Sequence, residues 1–238
     1  MTGPCVVFDV VGTCFGYDSV ADKLENVLAS HATISSDLFF KAWMSNAEVD
    51  FQRLSVLQKF RPHSTLLKKA FHTTMQDAGI ASSSLAPADI DRLIAQYADN
   101  LTPRPGLAEL MHTLRAAGFT VYCCSDASPE RVQGYFAKAG IEMPIENLFS
   151  CDMCKAAKPD PKVYRMVKEK LASAELIVFA AAHAWDLAGA RNEGFGTAYY
   201  TVGEDETCVE VFGEADVVAD TLPQLASAIV QKWGKGAA

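Results

Sequence analysis

The segment Val6-Val7-Phe8-Asp9-Val10-Val11-Gly12-Thr13-Cys14 constrains this chain more than any other. Three apolar residues run into a carboxylate, and a Gly-Thr turn follows at once. A short apolar run closed by a glycine turn predicts a buried strand in a parallel sheet. Asp9 then stands at the carboxyl end of that strand, where open α/β sheets place their ligands. A capping Asp at a strand-to-helix turn would look the same from one motif alone. The other motifs that reach this edge decide between the two.

Beyond Thr13 the periodicity changes. Val20, Leu24, Val27 and Leu28 recur at helical spacing, as do Leu38, Phe39, Ala42 and Trp43. Leu54, Leu57 and Phe60 continue the pattern, followed by Leu67, Ala70 and Phe71. After a polar break at Ser82–Pro87, Ile90, Leu93, Ile94 and Tyr97 make a last helix. This predicts a helical subdomain at 17–100, inserted into a core formed by 1–16 and 101–238.

In the second half, strands and helices alternate. Phe119–Cys124 reads as a buried strand ending at Ser125-Asp126, and Pro129–Lys138 as the helix after it. Leu148–Cys151 reads as a short strand, and Lys158-Pro159-Asp160-Pro161 opens a helix with proline near its first turn. Leu176–Ala181 is the next strand, ending at His183-Ala184-Trp185-Asp186. Gly196–Thr201 and Asp216–Val218 read as edge strands, and Leu222–Trp233 as the closing helix. The fold class this implies is α/β, a doubly wound, Rossmann-like parallel sheet core with an inserted helical cap subdomain.

A formal charge of -8 over 238 residues argues against nucleic-acid or anionic-membrane surfaces. No apolar run reaches the roughly 18 residues of a membrane span, and no basic leading segment suggests a secretion signal. The seven cysteines include Cys5, Cys123 and Cys124 in apparent core strands. Such thiols suit a reduced, cytoplasmic protein. Cys151-Asp-Met-Cys154 lacks a second pair at zinc-like spacing, so no metal site is expected.

Asp9, Ser125 and Asp186 all fall at strand ends, and Lys158 precedes a helix. In a parallel sheet these converge on one crevice. There Asp9 is a candidate nucleophile able to form an ester that water later hydrolyses. Thr13 and Ser125 supply hydroxyls, and Lys158 supplies the positive charge that keeps Asp9 ionised. Asp186 could orient or activate water.

The four motifs, FDVVGT, YCCSDAS, KPDPKVY and HAWDLAGAR, resemble the haloacid dehalogenase superfamily. More narrowly, FDVVGTCF, KPDPKVY and AWDLAGARNEGFGT look like its L-2-haloacid dehalogenase branch. The resemblance implies an Asp that displaces halide from C2, a cap formed by the helical insertion, and a small acidic substrate with water as co-substrate. It implies catalytic roles for Asp9, Thr13, Ser125, Lys158 and Asp186, and His183, beside the acidic loop, is a further catalytic candidate of this chain's own. Substrate contacts would fall to Val10, Val11, Trp43, Met44, Asp126, Tyr164 and Trp185. No cofactor, nucleic acid or membrane is expected, and a homodimer is an option.

The chain departs from the family at three places. Most of the superfamily transfers phosphoryl groups with Mg²⁺ and a second Asp two residues after the nucleophile, where this chain has Val11. Aligned through Trp43, the cap arginine of the dehalogenases becomes Met44, and Arg53 could supply cap charge from the next helix. The Ser and Asn before the acidic loop become Ala181 and His183, and the imidazole could act as donor or base. The alternatives are a Mg²⁺-dependent phosphatase and a non-catalytic relative that binds an anionic metabolite.

Overall fold

Four consecutive residues with no appreciable solvent exposure, Cys5–Phe8, form strand β1 near the middle of a six-stranded sheet. The computed structural model describes residues 3–17, 24–25, 34–99, 101–204 and 209–234. The remaining strands of this sheet are β2 (Thr120–Ser125), β3 (Leu148–Ser150), β4 (Ile177–Ala181), β5 (Gly196–Tyr200) and β6 (Val217–Ala219). Their order is β3-β2-β1-β4-β5-β6, and every pairing is parallel. This is a doubly wound order, and its reversal point lies between β1 and β4. Apolar runs such as VVF and IVFAA suit strands covered on both faces.

Gly196–Tyr200 is an interior strand, not the edge that its modest length suggests. It pairs with β4 on one side and β6 on the other, and Thr197 to Tyr200 are buried. The edges are β3 and β6. The helices of this unit include α4 (Leu107–Ala116), α5 (Pro129–Lys138), α6 (Cys151–Cys154), α7 (Pro161–Lys170), α8 (Ala184–Asn192) and, after the last strand, α9 (Leu222–Trp233). Ser128 caps α5 and Thr221 caps α9, each accepting a backbone N–H three residues on.

The chain divides into two compact units, Met1–Gly16 with Pro103–Ala238, and Tyr17–Thr102. The second is helical: α1 (Ser36–Val56), α2 (Leu67–Asp77) and α3 (Pro87–Asp99). The first of these helices runs through Leu38, Phe39, Ala42 and Trp43 and on to Leu54, whereas Leu57 is its C-cap and Phe60 lies beyond it. Its buried face is Phe39, Phe40, Trp43, Ala47 and Phe51, whereas Leu38 and Leu57 are 57% and 62% exposed. Val20, Val27 and Leu28 lie outside the described residues. Among the described residues no helix is long and apolar enough to cross a membrane.

Trp43 is the centre of the helical unit. Its ring meets Phe40, Phe71 and Tyr97 at centroid distances of 5.9, 5.0 and 5.6 Å. Its indole N–H donates to the Leu67 carbonyl at 2.8 Å. Edge-to-face contacts of this kind add to the burial of the large ring. Trp43→Phe should therefore cost about 0.5–1.5 kcal/mol through the lost indole hydrogen bond. Trp43→Ala should cost about 3–5 kcal/mol. Urea denaturation followed by circular dichroism measures both, and near-zero losses would mean that Trp43 does not anchor this unit.

Candidate active site

Asp9 follows β1 directly, and its N–H donates to the Ala180 carbonyl of β4 at 2.9 Å. The turn after it folds back on itself. The Val10 carbonyl accepts from the Cys14 and Phe15 N–H groups, and Gly12 donates to the Phe15 carbonyl. Gly12 has φ +94°, a left-handed conformation suited to glycine. A Cβ there would lie 3.3 Å from Cε1 of His183, so the imidazole sits directly against this turn.

The turn returns Thr13 to the carboxylate. Thr13 Oγ1 donates to Asp9 Oδ2 at 2.7 Å and accepts the Ala182 N–H at 2.9 Å. Lys158 approaches the other oxygen, with Nζ 2.6 Å from Asp9 Oδ1 and 2.7 Å from Asp186 Oδ2. The Tyr164 hydroxyl completes the chain by donating to Asp186 Oδ1 at 2.5 Å. Tyr164 stands on α7, whose N-cap Asp160 accepts from Lys162 N–H. The Lys158–Pro159 peptide just before that helix is cis. Tyr164 fits only because residue 189 is glycine: a Cβ there would stand 2.6–2.7 Å from the phenol ring and its hydroxyl.

Burial and charge compete in this cluster. Removal from water works against the Lys158 ammonium, but Asp186 and Asp9 outweigh it and hold its pKa well above the ordinary value. Burial pushes the Asp186 carboxyl up, against the pull of Lys158. Burial, followed by the Asp186 charge, pushes the Tyr164 phenol well up, so it stays a donor. The side chains of Lys158, Asp186 and Asp9 are 1%, 0% and 9% exposed, so Asp9 is the most accessible of the three.

The core-unit candidates therefore converge at the carboxyl ends of β1, β2 and β4, each with a definite contact. Ser125 ends β2, and its hydroxyl accepts the Ala127 N–H at 3.1 Å and so caps the turn that follows. Asp126 accepts the Cys151 thiol at 3.0 Å. His183 and Trp185 are half-buried and stack at 5.4 Å and 27°. Val11 is half-buried, whereas Val10 and Tyr164 are 0% exposed, so the Tyr164 hydroxyl meets Asp186 instead of standing open.

Trp43 is packed inside the helical unit, and Met44 beside it is half-buried. Arg53 is 71% exposed and pairs with Asp50 at 3.3 Å. Sequence reasoning missed Arg104, which donates from Nε and Nη2 to the Gly12 carbonyl at 3.3 Å each. The signal was a lone cation between Pro103 and Pro105, which reads as a helix terminator. It also missed the Cys14 thiol on the Asp9 carbonyl at 3.3 Å. No group of three or more His, Cys, Asp or Glu side chains able to hold a metal occurs among the described residues.

Comparison with known proteins bears on this arrangement. The chain is 27% identical to the (S)-2-haloacid dehalogenase of Pseudomonas fluorescens, over 79% of this chain and 80% of that one. It is 32% identical to (S)-2-haloacid dehalogenase 4A of Burkholderia cepacia, over 45% of this chain and 46% of that protein. The solved L-2-haloacid dehalogenase of Xanthobacter autotrophicus superposes with TM-score 0.79 at 22% identity, covering 97% of this chain and 99% of that one, a likeness of fold. The family description haloacid dehalogenase-like hydrolase matches residues 4–194. With that match spanning the whole Asp9–Lys158–Asp186 cluster, the chain belongs to the haloacid dehalogenase-like hydrolases.

Proposed function

We propose that the protein hydrolyses 2-haloacids through a covalent ester on Asp9, without a metal ion. The observation that carries this reading is the placement of donors on Asp9. Lys158 holds one oxygen and Thr13 the other, while 9% of the side chain stays exposed. An ionised carboxylate has about four lone-pair sites, so the remaining ones can attack. In the first step an Asp9 oxygen bonds to C2 as the carbon–halogen bond breaks, and halide leaves with the electron pair. Such a displacement inverts C2.

In the second step water adds to the Asp9 carbonyl carbon. A base takes one water proton and returns it to the departing 2-hydroxy oxygen, and the second proton is shed to solvent as Asp9 reionises. Both Asp186 oxygens already hold donors and the side chain is wholly buried, which suits it to hold Lys158. His183, against the Gly12 turn and half-buried, is the better placed base. Ser125, Asp126, Val11 and Trp185 would line the substrate's side of the crevice.

The donor set does not fit Mg²⁺ well. Lys158 Nζ already bridges the two carboxylates, and the Val11 side chain offers neither an oxygen nor an acid where a phosphatase would have a second Asp. A cytoplasmic location agrees with the buried, free thiols of Cys5, Cys14, Cys123, Cys124 and Cys151.

Asp9→Asn should abolish turnover while preserving the fold, because an amide of the same shape is a far weaker nucleophile. Under single turnover in heavy-oxygen water, mass spectrometry should find the label in the Asp9 carboxylate; label confined to product would exclude the ester. Halide release should also persist in EDTA, whereas inhibition reversed by Mg²⁺ would favour the phosphatase alternative.

Met44 sets the third expectation. A thioether carries no charge, whereas a charge-assisted hydrogen bond contributes about 1.5–3 kcal/mol, or about one to two decades in rate. Small 2-haloacids should therefore react slowly, and Met44→Arg should raise chloride release from 2-chloropropanoate. Fast wild-type turnover that collapses in Arg53→Ala would move the halide site to Arg53.

A further inference from the structure

Gly12 has no side chain of its own to hold the turn that carries Thr13. Its N–H is held within the turn by the Phe15 carbonyl at 2.8 Å, and two groups reach Gly12 from outside the turn. The His183 ring lies against the α-carbon, 3.3 Å from where a Cβ would stand. On the carbonyl side, Arg104 donates twice to the Gly12 oxygen, from Nε and Nη2 at 3.3 Å each. Its own backbone N–H donates to the Cys14 carbonyl at 2.9 Å. Arg104 thus grips both ends of the segment whose middle residue is Thr13.

We propose that Arg104 is a positioning residue for the nucleophile: its guanidinium fixes the plane of the Gly12–Thr13 peptide and so keeps Thr13 on Asp9. Thr13 Oγ1 has to satisfy two partners at once, Asp9 Oδ2 at 2.7 Å and the Ala182 N–H at 2.9 Å. Hydrogen bonding is strongly directional, so rotation of that peptide would break both contacts together. Two N–H groups of one rigid guanidinium on a single oxygen resist that rotation better than one ammonium could. Gly12 and Thr13 are both buried, so water does not readily replace the lost donor. The catalytic part of this assignment rests on Asp9 being the nucleophile, whereas the grip on Gly12 does not.

The test compares wild type with Arg104→Lys, Arg104→Gln and Arg104→Ala. Labelling glycine carbonyls with ¹³C and threonine amides with ¹⁵N isolates two peptide bonds by NMR, Gly12–Thr13 and Gly196–Thr197. The expected result is a shift of the Gly12–Thr13 signals in Arg104→Gln, with the Gly196–Thr197 signals fixed as an internal control. Hydrogen exchange of the Cys14 and Phe15 amides should accelerate with it.

With 2-chloropropanoate, kcat should fall about 10- to 100-fold, the range a charged hydrogen bond spans, while KM changes less than about threefold. Arg104→Lys should retain the fold and recover only part of kcat, and guanidinium at sub-denaturing concentration should partly rescue Arg104→Ala. Unmoved Gly12–Thr13 signals, or moved signals with wild-type kcat, would overturn the proposal. A wild type inert towards every haloacid would remove the haloacid reading alone. The NMR and exchange results would then still decide whether Arg104 holds the turn.

Discussion

A single ammonium, removed from water and placed between two carboxylates, is what the rest of this molecule is arranged to support. Lys158 is the residue that Asp9 and Asp186 both need, because two buried carboxylates facing one another would otherwise repel. Burying such a group is costly unless its partners are well placed. Here they are placed by strand ends: β1 delivers Asp9, β4 delivers the loop that leads to Asp186, and the order reverses between those two strands. The Phe179 ring on β4 lies 5.9 Å from Nζ and adds a further favourable contact. Breaking any one member would leave an uncompensated charge, so the cluster is a structural commitment as much as a chemical one.

Much of this could be read in the sequence because it depends on local rules. VVFD and YCCSD are apolar runs closed by polar residues, and parallel sheets bury such runs with their carboxyl ends together. Pro129–Lys138 and Leu222–Trp233 form helices at the residues the sequence indicates. Legibility failed where the deciding fact was a long-range partner. Tyr164 reads as a substrate contact until its hydroxyl is found on Asp186, 22 residues away in sequence. Arg104 reads as punctuation between prolines until it is found on Gly12, 92 residues away. The interior place of Gly196–Tyr200 likewise depends on β6, a strand of three residues whose signal is weak.

The helical unit solves a different problem. Its described helices are ordered by aromatic packing around one indole, with Phe39 and Phe71 also in contact at 5.2 Å. Long-range pairing governs the α/β unit, whereas contacts between neighbouring helices govern this one. That difference explains why a pattern of apolar spacing located the helices yet misassigned Leu38 and Leu57, which flank the packed face without joining it.

The contact between Tyr164 and Gly189 has an evolutionary corollary. The phenol fills the space where any side chain at 189 would begin, so the two positions share one volume. Lineages related to this chain should vary them as a pair: a methyl or larger group at 189 becomes admissible only when 164 contracts. Contraction at 164 would remove the hydroxyl from Asp186, so such pairs should also carry a new donor to that carboxylate. A family tree could therefore show compensation among 164, 186 and 189 while the nucleophile stays constant.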